Sequence, residues 1–118
     1  MVEPTMNNTQ LIHTLDRNIK EAKKVVDLSE ALARLGSNRD FRKVIEEGYF
    51  EKEAVRLVHL KADPNMQTGE YQAKIVKDID AIGSLSQYFA TIKQMASVAS
   101  RALAADEETR TELLQGEE

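Results

Sequence analysis

The sequence predicts an all-α fold in which two long antiparallel helices are bridged by a short helical pair. Apolar residues recur every three or four positions over long stretches at both ends of the chain, which is the spacing of one helix face. Only two Pro and five Gly interrupt the 118 residues, and aromatic residues make up 5% of them. A fold of many short strands and turns is therefore not expected.

The first helix is predicted from about residue 9 to residue 35. Asn8 or Thr9 is expected to cap it, because a short polar side chain accepts a hydrogen bond from a free amide. Gly36 is expected to end it in the left-handed conformation. The apolar residues that form its stripe are Leu11, Leu15, Ile19, Ala22, Val25 or Val26, Leu28, Leu32 and Leu35.

The short helical pair is predicted between residues 38 and 63, with Ser37 or Asn38 as its first cap. Gly48 is expected to separate the two members. The apolar side of the first member consists of Phe41, Val44 and Ile45. Pro64 is expected to end the second member, because proline lacks an amide donor and restrains the residue before it.

The last helix is predicted from about residue 69 to residue 106, with Thr68 as its cap. From Ile82 to Leu103 its apolar residues recur at alternating steps of three and four, a 3.5-residue period typical of a coiled coil. Gly83 is expected to mark a kink or a close helix contact. The later apolar residues are called the seam, and they are Leu85, Phe89, Ile92, Ala96, Ala99 and Leu103.

The predicted domain organisation is a single helical domain over residues 1–106 followed by an acidic tail over residues 107–118. Residues 106–118 hold six anions and one cation, whereas the rest of the chain holds 14 anions and 15 cations. Negative charge at a helix C-terminus is unfavourable, so the tail is expected to fray. A neutral body lacks the cations that displace phosphate counterions, so nucleic-acid binding is not expected.

The sequence contains no pattern typical of a catalytic, metal or cofactor site. His13 and His59 belong to different predicted helices, Cys is absent and the glycines are isolated. Neither a metal-ligand set nor a phosphate-binding loop is therefore indicated. We expect a protein that is not an enzyme and needs no cofactor. We also expect no membrane span and no signal peptide, since no long apolar window is present.

The seam is expected to be covered by another helix, inside the chain or in a partner protein. The first helix is predicted to be about 15 Å shorter than the last at 1.5 Å per residue, so part of the seam is left for a partner, and a homo-oligomer is predicted. Tyr49 and Phe50 are candidates either for an exposed aromatic contact or for a plug at the end of the bundle. Candidate polar contacts to a ligand are Arg56, His59 and Lys61.

Two segments resemble a family of small helical proteins encoded by tailed bacteriophages. They are NRDFRKVIEEGYFEKEAVRLVHLKADPN (38–65) and YQAKIVKDIDAIGSLSQYF (71–89). With the helix over 19–36 included, the resemblance covers most of the chain. It implies a phage origin, in the virion or in the cytoplasm of an infected bacterial host, and it implies no activity.

Four functions follow as hypotheses, with protein as the expected partner in the first two. The leading one is a non-catalytic structural or assembly protein of a phage particle that acts through helix–helix interfaces. The second is a phage protein that binds and inhibits or redirects a host protein. The third is an oligomeric binder of a small ligand, such as a nucleotide signal. The fourth is a DNA-binding regulator with a helix-turn-helix over residues 41–62.

Overall fold

The computed structural model describes residues 7–116 and confirms the predicted all-α fold. Long helices lie at both ends of this segment, α1 (Asn8–Gly36) and α4 (Gly69–Gly116). The elements between them are α2 (Arg39–Phe41), a π-helix (Arg42–Glu53), α3 (Ala54–Ala62) and a 3₁₀ turn (Pro64–Met66). Contacts group the described residues into two compact units, each described by itself below. The two-helix unit combines residues up to Glu30 with those from Ile92 onward, and the central unit is Ala31–Thr91.

Helix α1 begins at Asn8 because Asn7, rather than Asn8 or Thr9, is its cap. The Asn7 side chain accepts a hydrogen bond from the Gln10 amide at 2.8 Å, and the Gln10 side chain accepts one from the Asn7 amide at 3.3 Å. This reciprocal pair is a capping box, which satisfies two otherwise free amides. The other residues before the predicted first helix, 1–6, lie outside the described part of the chain.

The connection from α1 to α2 forms without the left-handed glycine that the sequence predicts. No glycine within residues 7–116 has a positive φ, so the expectation for Gly36 is wrong. Instead, the Asn38 amide donates to the Leu35 carbonyl at 3.0 Å, and the Asn38 side chain accepts from the Phe41 amide at 2.9 Å. Asn38 thus closes α1 and caps α2 at the same time, so no left-handed residue is needed.

One uninterrupted helix runs from α2 through the π-helix to α3, so the predicted break at Gly48 is wrong. Phe41 and Ala54, at the two junctions, both have right-handed helical backbone angles. A helix-turn-helix with its turn at Gly48 is therefore not formed by residues 41–62. The predicted end before Pro64 is confirmed, since α3 ends at Ala62.

The spacing of apolar residues explains why this stretch adopts π geometry. A π-helix has i→i+5 hydrogen bonds and holds more residues per turn than the 3.6 of an α-helix. Its wider turn brings to one face residues that recur every four or five positions, namely Phe41, Ile45, Tyr49, Phe50 and Ala54, all of them half-buried. Spacing of an α-helix would place Val44 on the same side as Phe41 and Ile45. In the π-helix Val44 is instead 63% exposed.

Helix α4 begins as predicted and ends later than predicted. Thr68 caps it, because the Thr68 hydroxyl accepts a hydrogen bond from the Tyr71 amide at 3.2 Å. The helix continues to Gly116, past the predicted fraying near residue 106. The reason is that this last part keeps a half-buried side, with residues that also bond to α1, as described below. Glu117 and Glu118 of the predicted tail lie outside the described residues.

We expect Gly83→Ala to stabilise the protein by about 0.5–1 kcal/mol, because alanine has the higher helix propensity and restricts the unfolded chain. Gly83 lies inside α4, and a Cβ at this position would meet no atom within 4 Å. The predicted close helix contact at Gly83 is therefore absent. The urea midpoint of unfolding measures the gain.

Gly48→Ala is the matched control for this prediction, because Gly48 also lies within a helix. A Cβ there would lie 3.1 Å from the Lys43 carbonyl oxygen, five residues earlier in the π-helix. We expect a smaller gain than at Gly83, or a loss. Equal gains at the two positions would show that the π-helix does not crowd its own backbone at Gly48.

Candidate interaction surfaces

The core of the central unit lies where the π-helix, α3 and the first part of α4 pack together. Its buried residues are Leu57, Ile75 and Ile82, of which Leu57 is only 1% exposed. The partly buried residues packed against them are Tyr49, Phe50, Ala54, Leu60, Met66 and Ile79. The apolar side chains of the π-helix are therefore packed inside this unit.

Aromatic rings extend this core along α4. The ring centroid of Phe89 lies 6.1 Å from that of Phe41 and 6.0 Å from that of Phe50, the latter pair meeting edge to face at 72°. The Tyr49 ring lies 6.0 Å from the Phe50 ring. Such tilted pairs add to the stability gained from apolar burial. Tyr49 and Phe50 are therefore packed in the core of the central unit and do not form an exposed aromatic contact.

The seam is unbroken and is largely covered within a single chain. In the central unit Leu85 and Phe89 are half-buried. In the two-helix unit Ile92 and Ala96 are buried, as are Leu15 and Ile19 of α1, while the remaining seam residues, Ala99 and Leu103, are half-buried. The seam thus serves mainly as internal core, and a partner has only its partly exposed residues to contact.

Paired charges connect α1 and α4 along one side of the seam in the two-helix unit. The Arg110 guanidinium donates a hydrogen bond from Nε to the Asp16 carboxylate, and Lys23 Nζ lies 4.0 Å from Glu107 Oε1. Asp16 precedes Lys23 in α1, whereas its partner Arg110 follows Glu107, the partner of Lys23, in α4. The two segments are therefore antiparallel. We call these four residues the charged face. Their side chains are between 39% and 60% exposed, so each pair adds little to stability.

Packing of the seam's continuation explains why the tail of α4 stays helical, and the charged face adds a smaller contribution. Arg110 and Glu107 belong to the segment that was predicted to fray, and both are held by α1. The 3.5-residue period also continues past Leu103, through Asp106 and Arg110 to Leu113, all of them half-buried. These contacts offset the unfavourable negative charge at the helix C-terminus.

The opposite side of the same two helices carries a group of apolar residues near its middle. A helix turns 100° per residue, which places Met95, Val98, Ala102 and Ala105 across the seam of α4 from Glu107. On α1 the same geometry places Val25 and Leu28 on the side of Leu15 and Ile19 away from Lys23, so Leu28, predicted as part of the stripe, is not on the buried side. We call these six residues the apolar face. Its large side chains are open to solvent, since Leu28, Met95 and Val98 are 48%, 52% and 56% exposed.

The apolar face was not predicted, although the sequence contains a signal for it. Met95, Val98, Ala102 and Ala105 follow steps of three, four and three, a second stripe parallel to the seam. The seam has larger apolar residues, so the prediction considered the seam alone. Which of the flanks is open becomes apparent only from the ion pairs that occupy the other one.

Two of the three predicted polar contacts, Arg56 and Lys61, bond to different neighbours within the chain. Arg56 bonds to the Glu53 carboxylate at 2.5 and 2.9 Å, and this hydrogen bond lowers the pKa of Glu53 while raising that of Arg56. Lys61 Nζ donates to the Gln72 side-chain oxygen at 3.1 Å. His59 is exposed on α3.

Two glutamine side chains close the C-terminal end of α3 beside Lys61. The Gln67 amide nitrogen donates to the carbonyls of Lys61 and Asp63 at 2.9 and 2.7 Å. The Gln72 amide nitrogen donates to the carbonyls of Lys61 and Met66 at 3.0 and 2.8 Å. Terminal helix carbonyls lack partners within the helix, so these bonds have a structural role.

No family model, curated protein or solved structure matches this chain. Within residues 7–116, none of the helices combines the length and the apolar character needed to cross a membrane. In the same described segment, no three histidine or acidic side chains are grouped so that they would hold a metal ion.

Proposed function

We propose that this chain is a non-catalytic helical protein of a tailed-bacteriophage particle, or of its assembly, and that it acts through helix–helix contacts with other proteins. The apolar face supports the proposal. Leu28, Met95 and Val98 are about half exposed on a structured two-helix unit whose other side is charged. Large apolar side chains that stay exposed on one side of a folded unit are typical of a protein-interaction surface.

The phage setting of the proposal rests on the sequence resemblance of residues 38–65 and 71–89. In the structure these residues form most of the central unit. Their aromatic side chains pack in the core of that unit, which gives them a structural role. The proposed location is accordingly the virion, or the bacterial cytoplasm while particles are being built.

Mass spectrometry of purified phage particles tests the proposed function. The phage whose genome encodes this chain is grown, and both mature particles and assembly intermediates are banded by density. We expect the chain in at least one of these fractions at a fixed ratio to the major capsid protein. A soluble phage enzyme from the same lysate is the control for carry-over.

Absence of the chain from mature particles and from assembly intermediates would refute the proposal. If it were instead recovered from the lysate in a fixed ratio with a host protein, the host-directed hypothesis would replace it. A chain that follows the soluble control through every fraction counts as absent.

A further inference from the structure

We infer that the end of α4, residues 106–116, detaches from α1 while the rest of the protein stays folded, and that this release uncovers Leu15 and Ile19. We call residues 106–116 the strap. Release changes contacts within one chain only, so it is independent of the proposed role in a phage particle. It gives the protein a second state in which α1 presents an apolar surface.

The side of the strap that packs on α1 is more polar than the seam before it. Every seam residue is apolar, whereas the same 3.5-residue period continues into the strap with Asp106 and Arg110 before it reaches Leu113. Asp106 and Arg110 are half-buried, so both lose part of their hydration without the stabilisation that apolar burial provides. The strap is therefore held less firmly than the seam, in which Ile92 and Ala96 are buried.

A groove beside Ile19 shows that the strap packs against α1 incompletely. The groove has a volume of about 460 Å³, and both helices line it. Its lining residues are Asp16, Ile19, Lys23, Glu107, Arg110 and Thr111. Close-packed interiors are stabilised by dispersion contacts between many atoms, and a groove provides fewer of them. Detaching the strap therefore breaks fewer contacts than separating two fully packed helices would.

The ion pairs that hold the strap are weak and sensitive to salt. Arg110 donates to Asp16, and Lys23 lies near Glu107, but about half of each side chain is exposed. Exposed ion pairs contribute little to stability, and dissolved ions screen them further. The strap also carries net negative charge at a helix C-terminus, which the helix dipole disfavours. Segments with so few buried apolar contacts open at a lower free energy than the core does.

The residues that the strap covers are the buried residues of α1. These are Leu15 and Ile19, at 7% and 8% exposure. Asp16 lies between them in the sequence and bonds to Arg110, so both residues are level with the strap. Release of the strap therefore exposes two large apolar side chains.

Helix α1 does not need the strap to remain helical. Its first amides are satisfied by the capping box between Asn7 and Gln10, which does not involve α4. The first turns also extend a helix that continues to Gly36, so they require no separate nucleation. The uncovered residues therefore stay together on one side of a formed helix.

Amide hydrogen exchange of the full chain, followed by mass spectrometry, tests the release. A detached strap is too short to stay helical by itself, so its amides exchange each time it opens. We expect residues 106–116 to exchange about a hundredfold faster than residues 92–103. The exchange of the strap should be about twofold faster again in about 0.5 M than in about 0.05 M sodium chloride. Fast exchange confined to the last turn, residues 113–116, would be ordinary fraying and would overturn the inference.

The double variant Asp106→Leu/Arg110→Leu extends the apolar seam through the strap without changing the net charge. Burial of two leucines outweighs the loss of one exposed ion pair, so exchange of the strap should slow about tenfold. Arg101→Leu/Glu108→Leu is the matched control, because it also replaces one base and one acid of α4, both of them exposed. We expect the control to change the exchange rate less than about twofold. Equal slowing in the two variants would reflect helix propensity alone and would contradict release of the strap.

Thiol accessibility tests whether release uncovers α1. The chain has no cysteine, so Ile19→Cys and Ala96→Cys each introduce a single thiol at a buried position of the two-helix unit. We expect maleimide to modify position 19 about tenfold faster than position 96, and we expect Asp106→Leu/Arg110→Leu to remove most of that difference. Global unfolding would expose both thiols, so a difference between them reports local release. Equal rates at the two positions with the wild-type strap would mean that α1 stays covered, which would refute the inference.

Discussion

Ile92→Asp is expected to lower the free energy of unfolding by more than about 3 kcal/mol and to leave little folded protein at 37 °C. Ile92 is only 5% exposed, and within residues 7–116 no polar or charged residue is buried. A carboxylate at this position loses its hydration without gaining a hydrogen-bond donor. Since a domain of this size is stable by about 5–15 kcal/mol, one such group removes a large share. Thermal and urea unfolding, followed by circular dichroism, measure the effect.

Thr91→Asp is the control, because it introduces the same charge one position away on the same helix. Thr91 is exposed, so its aspartate stays hydrated, and the change should alter stability by less than about 0.5 kcal/mol. If Ile92→Asp melted like the wild type, the seam would not be internal core.

Leu57→Ala is expected to destabilise the protein by about 2–5 kcal/mol. The Leu57 side chain is 1% exposed and lies in the same cluster as Ile75 and Ile82 of α4. Truncation removes apolar contacts and leaves a cavity, because neighbouring side chains relax only in part. The effect is measured as the shift in urea midpoint at unchanged slope, which keeps the comparison within two-state unfolding.

The adjacent residue provides the control for this cavity. Val58 is 61% exposed on the same helix, so Val58→Ala removes little buried surface and should change stability by no more than about 0.5 kcal/mol. Equal losses at the two positions would mean that the cluster around Leu57 contributes no more than a solvent-facing side chain.

The long helices were predictable because their apolar residues keep one period over many turns. The ends of α1 and of α3 were found within a residue or two, since Leu35 and Ala62 precede strong turn residues. Prediction failed where the period changed. Around Gly48 the apolar residues recur every four or five positions. An α-helix repeats every three or four, so this spacing indicates the end of one helix and the start of another.

The candidate surfaces were predictable only in part. The sequence located the seam, yet repetition alone does not reveal whether a stripe faces its own chain or a partner. The acidic tail was misjudged for a related reason. Its net charge suggested fraying, but Arg110 and Glu107 are matched to Asp16 and Lys23 more than 80 positions earlier. Pairings at such distance cannot be obtained from local patterns.

The π-helix has a consequence for how the gene tolerates insertions and deletions. Losing one residue from an α-helix rotates everything after it by about 100°, which would carry Leu57 away from its neighbours. Within residues 42–53 the wide turns hold extra residues, so a single deletion is absorbed when one turn adopts α-helical bonding. Codon losses that are harmless to folding should therefore concentrate in this stretch.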